Sequence, residues 1–289
     1  MNGEKTGWFP GHMAKAERQM ASAMKLTDAV VEILDARIPR SSRNQDLDKI
    51  AAGKPRVLLL NKCDLADAAE TARWLAVFRR SGAAVLAVDC RTGKNVGAVL
   101  PAVRRLLLGR LASWRAKGMA GRRIRVMTAG IPNVGKSSLI NRLARSSGAK
   151  VENRPGVTLS SQWYSIGGGF ELLDTPGVLR PKTGPRQDAG ALALTGAVRD
   201  DILDGPALAC SLIGILSERY PELLAKRYRL EPGSVRGSDG ESLLKRIAGN
   251  RGMLLRGGTA DMERAARMLI EEFRCGKIGR ITLERAGEK

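Results

Sequence analysis

One stretch constrains the fold of this chain more than any other: Gly130-Ile131-Pro132-Asn133-Val134-Gly135-Lys136-Ser137, a match to GxxxxGK[ST]. It follows an apolar run, Ile124 to Thr128, and opens a helical pattern, Lys136 to Arg145. A strand, a glycine turn and a helix in that order form a cup of backbone N–H groups at a helix N-terminus, which is a cradle for phosphate. Gly130 and Gly135 let the backbone fold into the cup. Lys136 is expected to reach the β- and γ-phosphates of a nucleotide and the Ser137 hydroxyl to ligate magnesium. Asn133, Val134, Gly135 and Ser138 complete the nucleotide-binding set of this loop. The alternative is a chance glycine turn, and its place between a strand and a helix argues against that.

The surroundings fit an α/β protein. Val30 to Leu34, Val57 to Leu60, Val85 to Val88, Ile124 to Thr128 and Phe170 to Leu173 read as buried strands. Ala14 to Leu26, Ala66 to Arg80, Val96 to Lys117 and Lys136 to Arg145 read as helices between them. That alternation predicts a mostly parallel sheet with helices on both faces. After Gly177 the chain is broken by Pro181, Gly184 and Pro185, and beyond them it is helix-like without a strand run. Two domains are expected from the 289 residues, 1–180 and an all-helical 181–289. Aromatic residues are only 4%, so the core should be aliphatic.

The base of the nucleotide is addressed by Asn61-Lys62-Cys63-Asp64, directly after Val57 to Leu60. An Asp carboxylate can accept from guanine N1–H and from its exocyclic amine, whereas adenine offers an acceptor at N1. Asp64 therefore reads guanine, Lys62 covers the base, and Asn61 ties this loop to the phosphate loop. Asp174-Thr175-Pro176-Gly177 ends another strand; Asp174 fits a carboxylate behind the magnesium ion and the Gly177 N–H a γ-phosphate donor. Thr158, in Pro155-Gly156-Val157-Thr158 before the strand around Gln162 to Ile166, is the further magnesium ligand expected in the triphosphate state.

The motif order is unusual. Here the base-reading loop precedes the phosphate loop, which precedes Asp174–Gly177, whereas in Ras-like GTPases the phosphate loop comes first. This resembles the circularly permuted P-loop GTPases. Trp8-Phe9-Pro10-Gly11-His12-Met13-Ala14-Lys15-Ala16, Asp35-Ala36-Arg37-Ile38-Pro39 and Ser42-Arg43-Asn44 narrow the resemblance to the YlqF/RbgA family of ribosome-assembly GTPases, over almost the whole chain. The resemblance implies hydrolysis of GTP to GDP and phosphate, with ribosomal RNA and the large ribosomal subunit precursor as partners, in late assembly of that subunit. It also implies guanine contacts from Asp89 and Cys90, and a potassium ion held by Asn133 that neutralises charge developing at the phosphates. Val178 stands where Ras-like enzymes carry a water-orienting Gln, so another group must act. By resemblance that group is His12, the single histidine; packing or RNA contact by His12 is the alternative. Because the segment after Asp174 runs into the C-terminal domain, nucleotide state is expected to set that domain's position.

The formal charge is +20, and no acidic residue stands between Cys90 and Val151. A solvated face mixes signs; this segment does not, and it points to nucleic-acid phosphate, with the surface around Arg104 to Arg125 as the RNA site. Trp114 there reads either as a base-stacking platform or as core. The longest apolar run, Ala207 to Leu216, falls far short of the roughly 20 residues a membrane span needs, so no membrane is expected. Met1 to Met24 shows no apolar signal core. One histidine and four scattered cysteines argue against a zinc site and suit reduced thiols in the cytoplasm. A monomer is expected away from the ribosome. Two rivals remain at this level: a GTP-binding RNA scaffold with little hydrolysis, and a P-loop metabolite kinase, against which the Asn61–Asp64 loop argues.

Overall fold

The structure is a computed structural model, and it describes residues 20–44, 46–51, 53–147, 150–152, 162–175, 186–198 and 204–288. The chain divides into two compact units, one running to Lys182 and including Glu284–Lys289, the other Thr183–Leu283.

In the first unit seven strands form one sheet: β1 (Ala29–Asp35), β2 (Arg56–Asn61), β3 (Ala84–Ala87), β4 (Ile124–Ala129), β5 (Lys150–Glu152), β6 (Gln162–Ile166) and β7 (Phe170–Asp174). Their spatial order is β3-β2-β1-β4-β7-β6-β5. The pairs β3–β2, β2–β1, β1–β4 and β4–β7 are parallel, and β6 and β5 are added antiparallel at one edge. The apolar runs become strands because a parallel strand is covered on both sides. Val31 and Ile33 point one way from β1, Val30 and Leu34 the other, and all four are buried. On the Leu34 side, Trp74 and Phe78 of helix α2 (Ala68–Arg80) pack with Leu58, Leu60 and Val85. Further along that side, Met20, Met24, Leu47 and Ala51 cover Val30, Met127 and Leu173. A short helix, α1 (Asp46–Ile50), carries Leu47. The mostly parallel sheet expected from the sequence is present, with its helical cover.

Two local readings differ. The single helix expected over Val96–Lys117 is a 3-10 turn, Val96–Ala98, then α3 (Val99–Leu106) and α4 (Leu108–Ala116). Three consecutive leucines cannot share one helical face, and the break at Leu107, whose N–H bonds back to the Arg104 carbonyl, buries Leu107 and leaves Leu108 exposed. The strand β5 has no counterpart among the expected runs. It is three residues long and two of them are charged, so it carries no apolar periodicity to read.

In the second unit α6 (Arg186–Leu194), α7 (Gly205–Arg219), α8 (Pro221–Tyr228), α9 (Gly240–Asn250) and α10 (Met262–Arg274) pack together, and no strand occurs among its described residues. Asp204, Asp239 and Asp261 cap α7, α9 and α10 by accepting from Ala207, Ser242 and Arg264 N–H groups. Pro221 starts α8 where its missing N–H costs nothing. Leu212, Leu216, Leu244, Ile247, Leu269 and Phe273 form the core. Glu272 ties α10 to α8 by accepting from Arg227 Nε at 2.8 Å and from the Tyr228 hydroxyl at 2.9 Å.

Candidate functional site

The carboxyl ends of the parallel strands gather the singled-out residues, the position where open α/β sheets bind ligands. β1 ends on Asp35, β2 on Asn61, β4 runs into Gly130, and β7 ends on Asp174. Helix α5 (Lys136–Ser147) begins at the phosphate loop, with Ser137 and Ser138 exposed in its first turn.

The loop has the backbone its glycines allow. Gly130 has φ 155° and Gly135 φ 105°. A Cβ on Gly130 would lie 2.5 Å from the Ile33 carbonyl oxygen, and one on Gly135 would collide with the Asn61 side chain. Asn133 takes the left-handed conformation, φ 60°, and is exposed; Val134 is buried beneath it. Lys136 Nζ donates to the carbonyls of Gly130 at 3.0 Å and Ile131 at 2.9 Å, so the ammonium lies across the cup. Burial pushes its pKa down to about 8, opposed by the charge of Asp174. Burial likewise raises Asp174, with Lys136 and the Thr175 N–H pulling the other way. The end of β7 is fixed beside β4, since Thr175 Oγ1 donates to the Thr128 carbonyl at 2.6 Å and Thr128 Oγ1 to that of Leu173 at 3.0 Å.

Asn61 joins three segments that are distant in sequence. Its Nδ2 donates to the Val134 carbonyl at 2.6 Å, and its Oδ1 accepts from the Cys90 N–H at 3.0 Å. The Asn61–Asp64 loop is thereby tied to the phosphate loop and to the loop after β3. Lys62 adopts φ 59°, and its Nζ lies 2.9 Å from Asp35 Oδ2. Asp35 is fully buried and grips Arg37, whose Nε and Nη2 donate to its two oxygens at 3.0 and 2.9 Å. Those two cations outweigh burial and hold the Asp35 carboxyl well below the usual range. Asp64 forms an exposed pair with Arg91 at 3.2 Å.

Asp89 and Cys90 follow β3, and the Asp89 oxygens serve their own turn. They accept from the N–H groups of Arg91 at 2.8 Å and Thr92 at 3.2 Å, and from the Thr92 hydroxyl. Burial pushes the Cys90 thiol up to about 12, so it stays protonated. Arg142 of α5 donates to the Cys90 carbonyl at 3.4 Å and also to that of Arg91. His12, Thr158, Gly177 and Val178 lie outside the described residues, as does the break at Pro181, Gly184 and Pro185. Two residues of the site, Asp35 and Arg142, were not singled out by sequence reasoning for a role there. The signal for Asp35 is a charged residue at the very end of a mostly apolar strand; Arg142 has none beyond its place on the phosphate-loop helix.

On the basic segment, several arginines meet acids from elsewhere in the chain. Arg122 pairs with Asp28 at 3.0 Å and Arg125 with Glu171 at 3.1 Å. Trp114 is core: it is buried, and Arg122 stacks on its ring at 4.0 Å. Arg105, Arg115 and Lys117 remain exposed.

Residues 125–202 match the family model described as a 50S ribosome-binding GTPase. The chain is 44% identical to ribosome biogenesis GTPase A of Priestia megaterium, covering 97% of each. It is 35% identical to mitochondrial ribosome-associated GTPase 1 of Xenopus tropicalis, covering 97% of this chain and 95% of that one. Among solved structures, GNP-bound YlqF from T. maritima superposes with a TM-score of 0.64 at 27% identity, covering 95% of this chain and all of that one.

Proposed function

The chain belongs to the ribosome biogenesis GTPase A (YlqF/RbgA) family and is a GTP hydrolase of ribosome biogenesis, and from that premise we propose how its residues divide the work. The observation that supports the reading best is the double hydrogen bond of Asn61, which draws the Asn61–Asp64 loop, the phosphate loop and the Asp89–Cys90 loop onto one site. Guanine is read by the Asp64 carboxylate and covered by Lys62. The phosphates take the place of the Gly130 and Ile131 carbonyls as partners of Lys136, helped by the N–H groups of Val134 to Ser138. Gly177 contributes its N–H to the γ-phosphate.

Magnesium fits this donor set. The exposed Ser137 hydroxyl and the half-buried Asp174 carboxylate, raised by desolvation, are hard oxygen donors. Such an ion would be shared between these oxygens and the phosphates. Ser137 and Thr158 would hold it, Asp174 would orient its water, and bound there it would neutralise charge on the phosphate oxygens. The exposed Asn133 offers an oxygen for potassium at the same phosphates. With Val178 unable to orient water, His12 does so.

The substrate platform is the precursor of the large ribosomal subunit, late in its assembly in the cytoplasm. Arg105, Arg115 and Lys117 are the phosphate-backbone contacts to its RNA. Single-turnover GTP hydrolysis, with and without large subunits and in potassium or sodium chloride at matched ionic strength, tests the assignment. Wild type should be accelerated by subunits and by potassium, and His12→Ala should lose most of the acceleration while binding GTP normally. Full acceleration in His12→Ala would contradict the role of His12; equal rates in both salts would contradict potassium.

A further inference from the structure

We propose that the segment from Glu284 to Glu288 is a strap that positions the guanine-reading loop Asn61–Asp64, with Glu284 as its anchor. The inference rests on the reading of that loop as a guanine site.

Glu284 is a buried carboxylate with a complete set of local donors. Its Oε2 accepts from the Arg40 N–H at 2.6 Å, and its Oε1 accepts from the Ser41 N–H at 3.0 Å and from the Ser41 hydroxyl. Its backbone carbonyl accepts from Trp74 Nε1 at 3.0 Å. Further on, the Ala286 N–H donates to Glu70 Oε2 at 3.3 Å, and Arg40 Nη1 donates to the Glu288 carbonyl at 2.6 Å. Ala286 packs against the cluster that contains Leu60, Cys63, Ala66 and Trp74.

These contacts fall on the two segments that flank the base-reading loop. One is the turn leaving β1. The Ser42 hydroxyl accepts from the Asp35 N–H at 3.0 Å and donates to the Ile38 carbonyl at 2.7 Å, and the Ala36 N–H donates to the Asn61 carbonyl at 2.8 Å. Asp35 in turn holds Lys62. The other is α2, which begins four residues after Asp64 and presents Glu70 and Trp74. The strap therefore closes over both ends of the loop from behind. A carboxylate buried among backbone donors has no use on the surface; here it replaces water as the acceptor for the Arg40 and Ser41 N–H groups. Glu284 acts through other residues, so it is a positioning residue.

The readout is the ratio of affinities for GDP and IDP, measured by calorimetry on full-length protein. Inosine lacks the 2-amino group, so the ratio reports how well Asp64 is aimed, and a lesion that merely lowers the folded fraction leaves it unchanged. Glu284→Ala should lower the ratio about tenfold, the scale of one lost hydrogen bond to a charged acceptor. Glu284→Gln, which keeps an acceptor oxygen, should recover part of it. Trp74→Phe, which removes the donor to the Glu284 carbonyl and part of the ring stacked on Phe78, should lower the ratio in the same direction and carries the test alone if Glu284→Ala does not fold. An unchanged ratio in the folded variants overturns the strap. A wild-type protein with no preference for GDP over IDP overturns the guanine reading itself, a separate result.

Discussion

At the scale of single residues, two buried carboxylates on β1 behave in opposite ways because their partners differ. Asp35 has Arg37 and Lys62 on its oxygens and is held ionised. Glu32, three residues earlier and on the opposite face of the strand, accepts among the described residues a long bond from the Asn44 N–H, and its Oε2 faces Arg56 at 3.2 Å without a hydrogen bond. Burial outweighs Arg56 and Arg43 and pushes the Glu32 pKa from 4.5 up to about 7. The folded state thus keeps a proton that the unfolded chain releases above 4.5. Glu32 is compatible with folding below that pH and costs stability as pH rises through about 7. Denaturant titrations should show Glu32→Gln flattening the fall in stability between about pH 4.5 and 7, an effect of up to ~3 kcal/mol. An unchanged slope in the variant would place the titration elsewhere.

At the scale of elements, the phosphate loop and β2 are built as one piece. Gly135 has no side chain where Asn61 reaches across to the Val134 carbonyl. Gly135→Ala should therefore remove that bond and strain a backbone at φ 105°, a loss of ~1–3 kcal/mol in melting experiments together with a loss of nucleotide binding. Wild-type stability and binding would show that the loop does not need this close approach. The same elements show what the sequence makes legible. Strands covered on both faces write themselves as mostly apolar runs, so β1, β2, β4 and β7 can be read with their bounds nearly intact. Phosphate- and base-side motifs can be read because each combines a fixed spacing with a strand end. The break at Leu107 cannot, since the hydrophobic pattern runs through it and only tertiary packing decides which leucine is buried. Nor can the partners of Asp89: a carboxylate that turns back on Thr92 looks no different in sequence from one that faces a ligand. Glu284 is the extreme case, because its donors at Arg40 and Ser41 lie at the other end of the chain.

For the whole molecule, the excess of positive charge is not one unbroken basic face. Asp28 and Glu171, from outside the acid-free segment, meet Arg122 and Arg125 of that segment and the side chain of Arg123, leaving Arg105, Arg115 and Lys117 exposed. Permutation leaves the parallel sheet intact, since strands β1, β2 and β3 precede the phosphate-loop strand β4 in the chain yet stand beside it in the order β3-β2-β1-β4-β7. What that arrangement has to deliver is a base pocket from the first half of the chain and a phosphate cradle from the middle acting on one ligand. Exchanging the base-reading group tests this most directly. Asp64→Asn replaces an acceptor of the guanine amine by a side chain that can also donate, which suits the 2-oxo group of xanthine. Calorimetry should show the variant losing affinity for GDP by at least about a hundredfold while gaining it for xanthosine diphosphate, with Lys136 still required for both. Equal affinity of wild type and Asp64→Asn for the two diphosphates would contradict the account.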